Sequence, residues 1–253
     1  MDLGLRDRVF VVTGGTRGLG FATARVLVDE GARVIISGRD ADRADEAART
    51  LGGHDVALGL AADLTEAGAE AMLVAAATAR YGRIDGALVS VGGPPAGTVV
   101  STNDDAWRAA FESVFLGAVR TARAVANELS EGGALAFVLS TSVRSPIDGL
   151  AVSNGLRPGL AMVAKTMADE LGGRGIRVNG LMPGRVETDR VRELDAASGR
   201  PVTQRREQES RIPLGRYGAP EEFGRVAAFL LSPAASYVNG AMVPVDGGAT
   251  RAL

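Results

Sequence analysis

Two groups of residues in this chain have types and spacings that could do chemistry. The first is Thr13-Gly14-Gly15-Thr16-Arg17-Gly18-Leu19-Gly20, which closes an apolar run and opens a helical pattern. Glycines here allow a tight turn and a close main-chain approach to a phosphate. The helix start behind them offers unpaired N–H groups and a positive dipole end. Strand, glycine turn and helix, in that order at the start of the chain, point to a pyrophosphate and so to a dinucleotide. The second group is Ser142, Ser153 and Arg157, with Arg144 nearby in sequence. Two hydroxyls and permanently protonated guanidinium groups can grip a carboxylate or enolate oxygen, but none is an acid near neutral pH.

Other reactive side chains are scarce. There is no cysteine, which excludes disulfides and thiolate chemistry, and a lone histidine, His54, sits in a Gly-Gly-His-Asp turn expected at the surface. A metal site needs more ligands of this kind than the chain offers. Of three tyrosines, Tyr81 precedes the fourth strand and Tyr237 is expected to pack in the C-terminal segment. Tyr217 is the one placed to reach a ligand. The 253 residues carry a net charge of −2, which gives no basic field for nucleic acid or anionic lipid. No apolar run approaches a membrane span and the start lacks a signal peptide's pattern, so a soluble cytoplasmic protein is expected.

Apolar runs at 8–14, 33–37, 56–62, 84–91, 134–141, 176–184 and 241–248 alternate with helical patterns near 18–30, 41–51, 66–80, 104–129, 158–172 and 220–231. Strands apolar throughout and separated by helices predict a Rossmann-type, doubly wound, three-layer α/β/α fold with a seven-stranded parallel sheet. No linker or repeat interrupts the pattern, so residues 1–253 read as one domain. Its irregular stretch, 185–217, has room for one or two short helices and is placed to cover a ligand. Pro158 is at home in a first helical turn and disfavours helix at Arg157, so the sixth helix is expected to start there, with 153–157 as its loop-like entry. Phe111, Val114, Phe115 and Ala118 form an apolar stripe at helical spacing, expected in core or helix–helix contact.

After the second strand the chain reads Ile36-Ser37-Gly38-Arg39-Asp40. Dinucleotide sites selective for NAD place an acid here for the ribose hydroxyls; this chain has Gly38, then Arg39, with Arg17 in the glycine turn. Two guanidinium groups suit a 2′-phosphate, which favours NADP(H) over NAD(H), although Asp40 could pair with Arg39.

The spacing Gly14-x-x-x-Gly18-x-Gly20 resembles that of the short-chain dehydrogenase/reductase family. The resemblance extends through Ala61-Ala62-Asp63-Leu64, residues 174–189 and residues 213–248. It implies cofactor contacts from Gly14, Thr16, Arg17, Gly18, Leu19, Gly20, Arg39, Asp63, Leu64, Ser90, Gly92, Pro183, Gly184, Val186 and Thr188. It also implies a homo-oligomer, tetramer or dimer. The family's proton-transferring tyrosine and its lysine align with Ser153 and Arg157, its serine with Ser142 (Ser140 second), and its asparagine with Val114. Three of the four groups are therefore replaced, and tyrosine-driven carbonyl reduction is expected to be lost. The resemblance favours an NADP(H)-dependent oxidoreductase with an atypical site. A non-redox isomerase, dehydratase or cyclase, or a dinucleotide-binding subunit without catalysis, stays open.

Overall fold

The computed structural model describes residues 2–252. Its strands are β1 (Val9–Val12), β2 (Arg33–Gly38), β3 (Ala57–Ala61), β4 (Gly86–Val89), β5 (Ala134–Val138), β6 (Arg177–Pro183) and β7 (Met242–Val245). They pair in the order β3-β2-β1-β4-β5-β6-β7, every pairing parallel. The helices are α1 (Gly18–Asp29), α2 (Ala41–Leu51), α3 (Ala69–Tyr81), α4 (Asp104–Ala110), α5 (Gly117–Glu128), α6 (Ala151–Gly172), α7 (Asp189–Ala196), α8 (Pro201–Glu209) and α9 (Pro220–Leu231).

Alternate strand residues feed opposite cores, the pattern a parallel sheet covered on both faces requires. Val9, Val11, Ala87 and Phe137 pack with Leu73, Val125 and Ala164 of α3, α5 and α6. Phe10, Val12, Ile36 and Leu88 pack with Leu27, Phe223 and Leu230 of α1 and α9. Chain order reverses between β1 and β4, the place where such sheets open a crevice at their carboxyl ends. Thr13 holds that crevice together: its hydroxyl donates to the Ser90 carbonyl at 2.8 Å and accepts the Ser90 N–H at 2.8 Å.

Three local expectations are corrected. The sixth helix starts at Ala151 and runs through Pro158. Its first turns are pinned from outside, which outweighs the preference of proline for a helix start. Asn154 clamps both the N–H and the carbonyl of Ile147, Ala151 donates to the Gly97 carbonyl, and Trp107 lies against Gly155. Tyr237 is fully exposed instead of packed, because it is the neighbouring Val238 that turns inward against the α1–α9 side. The helix read over 104–129 is broken by a π-helical stretch, Phe111–Leu116, between α4 and α5. Within the apolar stripe there, Val114 and Ala118 are buried, while Phe111 stays partly exposed and stacks on Phe115 at 5.3 Å.

Residues 185–217 contain α7 and α8 and close on a small apolar cluster of Val191, Ile212 and Tyr217. The Tyr217 hydroxyl donates to Asp195 Oδ2 at 3.0 Å, and Arg185 donates to Asp195 Oδ1 at 2.8 Å. The guanidinium of Arg205 covers the Tyr217 ring at 4.8 Å from its centre. Tyr217 is thus a buried strut of this segment and does not present its hydroxyl to the crevice.

Burial, then the bond to Asp195, pushes the Tyr217 phenol from 10.0 up to about 12. The folded chain keeps this proton longer than the unfolded chain. Its stabilising contribution is complete below pH 10 and is lost as the pH rises through about 12. That rise corresponds to on the order of 2 kcal/mol. Lys165 is the chain's only lysine, so few groups titrate alongside. In urea denaturation, Tyr217→Phe is expected to be about 1 kcal/mol less stable than wild type near neutral pH. The gap should close or reverse at the alkaline end; a gap independent of pH would refute the assignment.

Candidate active site

The turn between β1 and α1 is shaped by the absence of side chains. Gly14 has a φ of +56°, and a Cβ on Gly20 would lie 2.3 Å from the Gly14 carbonyl oxygen, so the turn folds flat onto the helix start. Arg17 stands at the N-cap in extended geometry without a side-chain cap, and the first turn of α1 holds no acidic residue. The helix start is open to an anion, and the residues present fit the pyrophosphate of a dinucleotide.

Beside this turn, Gly38 ends β2 against Thr16, whose methyl would lie 2.6 Å from a Cβ at that position. Any side chain there, an acidic one included, would require Thr16 to shift. Asp40 is occupied at the start of α2, where its carboxylate accepts the Arg43 N–H at 3.0 Å. Arg39 is exposed and acts electrostatically on Asp63, whose carboxyl is held low mainly by bonds from the N–H and hydroxyl of Thr65. Leu19 packs under the turn, and the Leu64 carbonyl faces Gly117 so closely that a Cβ would meet it at 2.7 Å. Ser90 is buried beside Gly14, and Gly92 is exposed with open space around it. On the far wall Pro183 ends β6, Gly184 donates to the Val245 carbonyl at 3.0 Å, Val186 is buried, and Thr188 caps α7.

The three candidate catalytic residues come together. Ser142 lies in a short 3-10 turn after β5, capped by Ser140, whose hydroxyl accepts the Ser142 N–H at 3.1 Å. Ser140 is spent on that cap, which leaves Ser142 as the serine facing α6. Its Oγ is 3.2 Å from Ser153 Oγ, and both residues are buried. Arg157 follows Ser153 by one helical turn, on the same face of α6. It is only 4% exposed, and donates to the Val138 carbonyl at 2.5 Å and the Val91 carbonyl at 3.5 Å. Burial is the one cause that shifts its guanidinium, down to about 10, and no carboxylate among the described residues offsets it. It therefore remains charged at neutral pH. Arg144 closes the 3-10 turn through its main chain and is exposed.

Some contacts were not legible in the sequence. Arg190, on the first turn of α7, reaches across to the segment after β4 and donates to the Pro94 carbonyl at 2.6 Å. On the opposite wall Asp189 lies 3.6 Å from Arg17 of the glycine turn. Residues 188–190 thus bridge the mouth of the crevice. Arg190 carries no motif that could have marked it; Thr13, adjoining Gly14, could have been suspected as the strand's last side chain.

Comparison with known proteins agrees with this geometry. A family model described as enoyl-(acyl carrier protein) reductase matches residues 14–250. The cis-4-hydroxycyclohexanecarboxylate dehydrogenase of Sinomonas cyclohexanicum is 35% identical over 250 residues, 96% of this chain and 97% of that protein. Among solved structures, a short-chain dehydrogenase/reductase described as glucose/ribitol dehydrogenase, from Brucella melitensis, superposes with a TM-score of 0.93 at 28% identity, covering 100% of both chains. L-sorbose reductase from Gluconobacter frateurii, solved with NADPH and L-sorbose, superposes with a TM-score of 0.92, also at 28% identity and 100% coverage of both chains. With the fold, the glycine turn and the full-length match in agreement, this chain belongs to the short-chain dehydrogenase/reductase family of oxidoreductases.

Proposed function

We propose that this protein is an NADP(H)-dependent oxidoreductase acting on a small molecule through an atypical site. The observation that carries the reading is the uncapped start of α1 behind a turn with no room for side chains. Gly14, Thr16, Arg17, Gly18, Leu19 and Gly20 would hold the pyrophosphate, Arg39 and Arg17 the 2′-phosphate, and Asp63 and Leu64 the adenine side. Ser90, Gly92, Pro183, Gly184, Val186 and Thr188 would line the nicotinamide half. The steric block at Gly38 and the engagement of Asp40 in a helix cap support NADP(H) over NAD(H). The NADPH bound in L-sorbose reductase is in keeping with this.

Bound there, the nicotinamide supplies a hydride to a substrate carbon or takes one from it. The chain's own part is to hold the substrate oxygen. Ser142 and Ser153 share one hydrogen bond, the Ser142 hydroxyl can turn from its long 3.5 Å contact with the Ser153 carbonyl toward a ligand, and Arg157 fixes a positive charge one turn along α6 from Ser153. Neither hydroxyl matches the family tyrosine as an acid, because an alcohol without a nearby base stays protonated. The same reading has the protein work in the cytoplasm as a homo-oligomer, dimer or tetramer. Phe111 and Met162, large apolar side chains at 43% and 67% exposure, support such an interface. Among the described residues no helix is long and apolar enough to cross a membrane.

The direct test uses Trp107, the only tryptophan, as donor for energy transfer to bound NADPH. NADPH is expected to bind more tightly than NADH, and Arg39→Ala to weaken NADPH by about 10- to 100-fold with NADH unchanged, the size of one charge-assisted contact. Failure of both nucleotides to bind would overturn the reading. The double variant Ser153→Tyr with Arg157→Lys is expected to gain ketone reduction, measured as NADPH oxidation. No gain would show that the pocket has been reshaped beyond the loss of its acid.

A further inference from the structure

The start of α1 meets a pyrophosphate mainly with main-chain N–H groups and a dipole. Of the cationic side chains placed at the nucleotide above, Arg39 serves the 2′-phosphate and Arg17 is divided between the two anions. The first turn of α7 brings a third cation to the crevice. Thr188 lays its methyl against Gly18, 3.5 Å from where a Cβ would stand, and Asp189 lies 3.6 Å from Arg17. One residue further, Arg190 crosses to the opposite wall and donates to the Pro94 carbonyl at 2.6 Å. Three successive residues therefore span the crevice from the glycine turn to the segment after β4.

Arg190 is held in place without being neutralised. Its guanidinium lies over Gly93, where a Cβ would come within 2.8 Å of Nε and 3.3 Å of Cζ, so the missing side chain at 93 gives it passage. The bond to Pro94 uses one of five N–H donors, and it is the only hydrogen bond of this side chain among the described residues. Its one carboxylate contact among them, Glu193, is at 4.0 Å and exposed to solvent. Arg192, two residues on, is committed differently: it donates to Asp189 Oδ1 at 2.5 Å and stays on the outer side of the turn's ion pair. A guanidinium already anchored by a main-chain carbonyl has less freedom to lose when an anion arrives.

We propose that Arg190 is a binding residue for the pyrophosphate of the nucleotide, gripping the phosphate on the nicotinamide side through paired N–H donors, opposite the start of α1. The proposal rests on the nucleotide-binding reading above. It adds a contact common to NADP(H) and NAD(H), whereas Arg39 separates the two. The segment after β4 supports the placement, since Ser90 and Gly92 on that wall fall to the nicotinamide half. The planar fork of an arginine suits two phosphate oxygens at once, and the spare donors of Arg190 are not taken up by the fold.

Four ligands separate the phosphates. NADPH, NADH and ADP-ribose contain the pyrophosphate; adenosine 2′,5′-bisphosphate carries the 2′-phosphate and only the adenosine-side 5′-phosphate. Energy transfer from Trp107 reads the reduced nucleotides, and calorimetry reads the other two. Arg190→Gln is expected to weaken NADPH, NADH and ADP-ribose alike, by about 10- to 100-fold, the size of one charge-assisted contact. The bisphosphate should stay within about twofold of wild type, which also shows that the variant is folded. Arg192→Gln removes the same charge from the same turn without touching the far wall, and should change all four by less than about twofold. If Arg190→Gln no longer binds the bisphosphate, Arg190→Lys decides. It keeps the charge but not the fork and should bind both reduced nucleotides about 3- to 10-fold more weakly; wild-type affinity overturns the proposal. So does unchanged NADPH binding by Arg190→Gln, a loss confined to NADPH, or an equal loss in Arg192→Gln. Wild-type protein that binds none of the pyrophosphate ligands overturns the nucleotide reading and this proposal with it. Wild-type protein that binds them while Arg190→Gln is unaffected overturns this proposal alone.

Discussion

Burying a guanidinium at 4% exposure, with no carboxylate beside it among the described residues, is the constraint to which the centre of this molecule answers. Taking one ion out of water costs several kcal/mol, and the two carbonyl contacts, at about 1.5–3 kcal/mol for each hydrogen bond to a charged group, offset part of it. Those carbonyls belong to Val138, the last residue of β5, and Val91, just past β4. Arg157 therefore ties two strand ends and α6 into one rigid floor at the crevice. Deprotonation is no escape, because a guanidinium lowered only to about 10 stays charged at neutral pH.

The same constraint bears on the course of α6. An interior proline costs about 3 kcal/mol through a lost hydrogen bond and a ring clash. Were the helix to begin at Pro158, Arg157 and Ser153 would sit in a loop. The clamp of Asn154 on Ile147, the Ala151–Gly97 bond and the seat of Trp107 on Gly155 keep both residues helical. The Asn154 clamp reaches back seven residues, and the other two contacts join segments about fifty residues apart. Proline's preference is a short-range rule, and here longer-range packing overrides it.

That contrast separates what the sequence discloses from what it hides. Strand and helix alternation survives folding because both faces of the sheet are buried, so each strand's apolar character is visible without knowing its neighbours. The glycine turn is legible for the same reason: its requirements are met within eight residues. Tyr217 was legible only as a tyrosine in an irregular segment, since its partner Asp195 lies on α7 and its cation cover, Arg205, on α8. Tyr237 and Val238 exchange roles through one residue of turn geometry, below what periodicity resolves. The π-helical stretch leaves the apolar stripe intact while shifting which members face inward, so Phe111 emerges where an ideal helix would bury it.

The segment over the crevice shows how such hidden contacts divide their work. Its internal bonds, Tyr217 to Asp195 and Asp195 to Arg185, are buried or nearly so and hold α7 to the returning chain. Its contacts across the crevice are of another kind. Arg17 and Asp189 are 58% and 49% exposed at 3.6 Å, a pair worth at most about 1 kcal/mol in water and salt. Arg190 spends a single hydrogen bond on Pro94. The segment is anchored at its returning end, where Leu214 donates to the Gly247 carbonyl at 3.2 Å and Ala249 packs on the Val191, Ile212 and Tyr217 cluster. Its stability therefore comes from the buried packing at that end, and the exposed ion pair at the mouth of the crevice adds little to it.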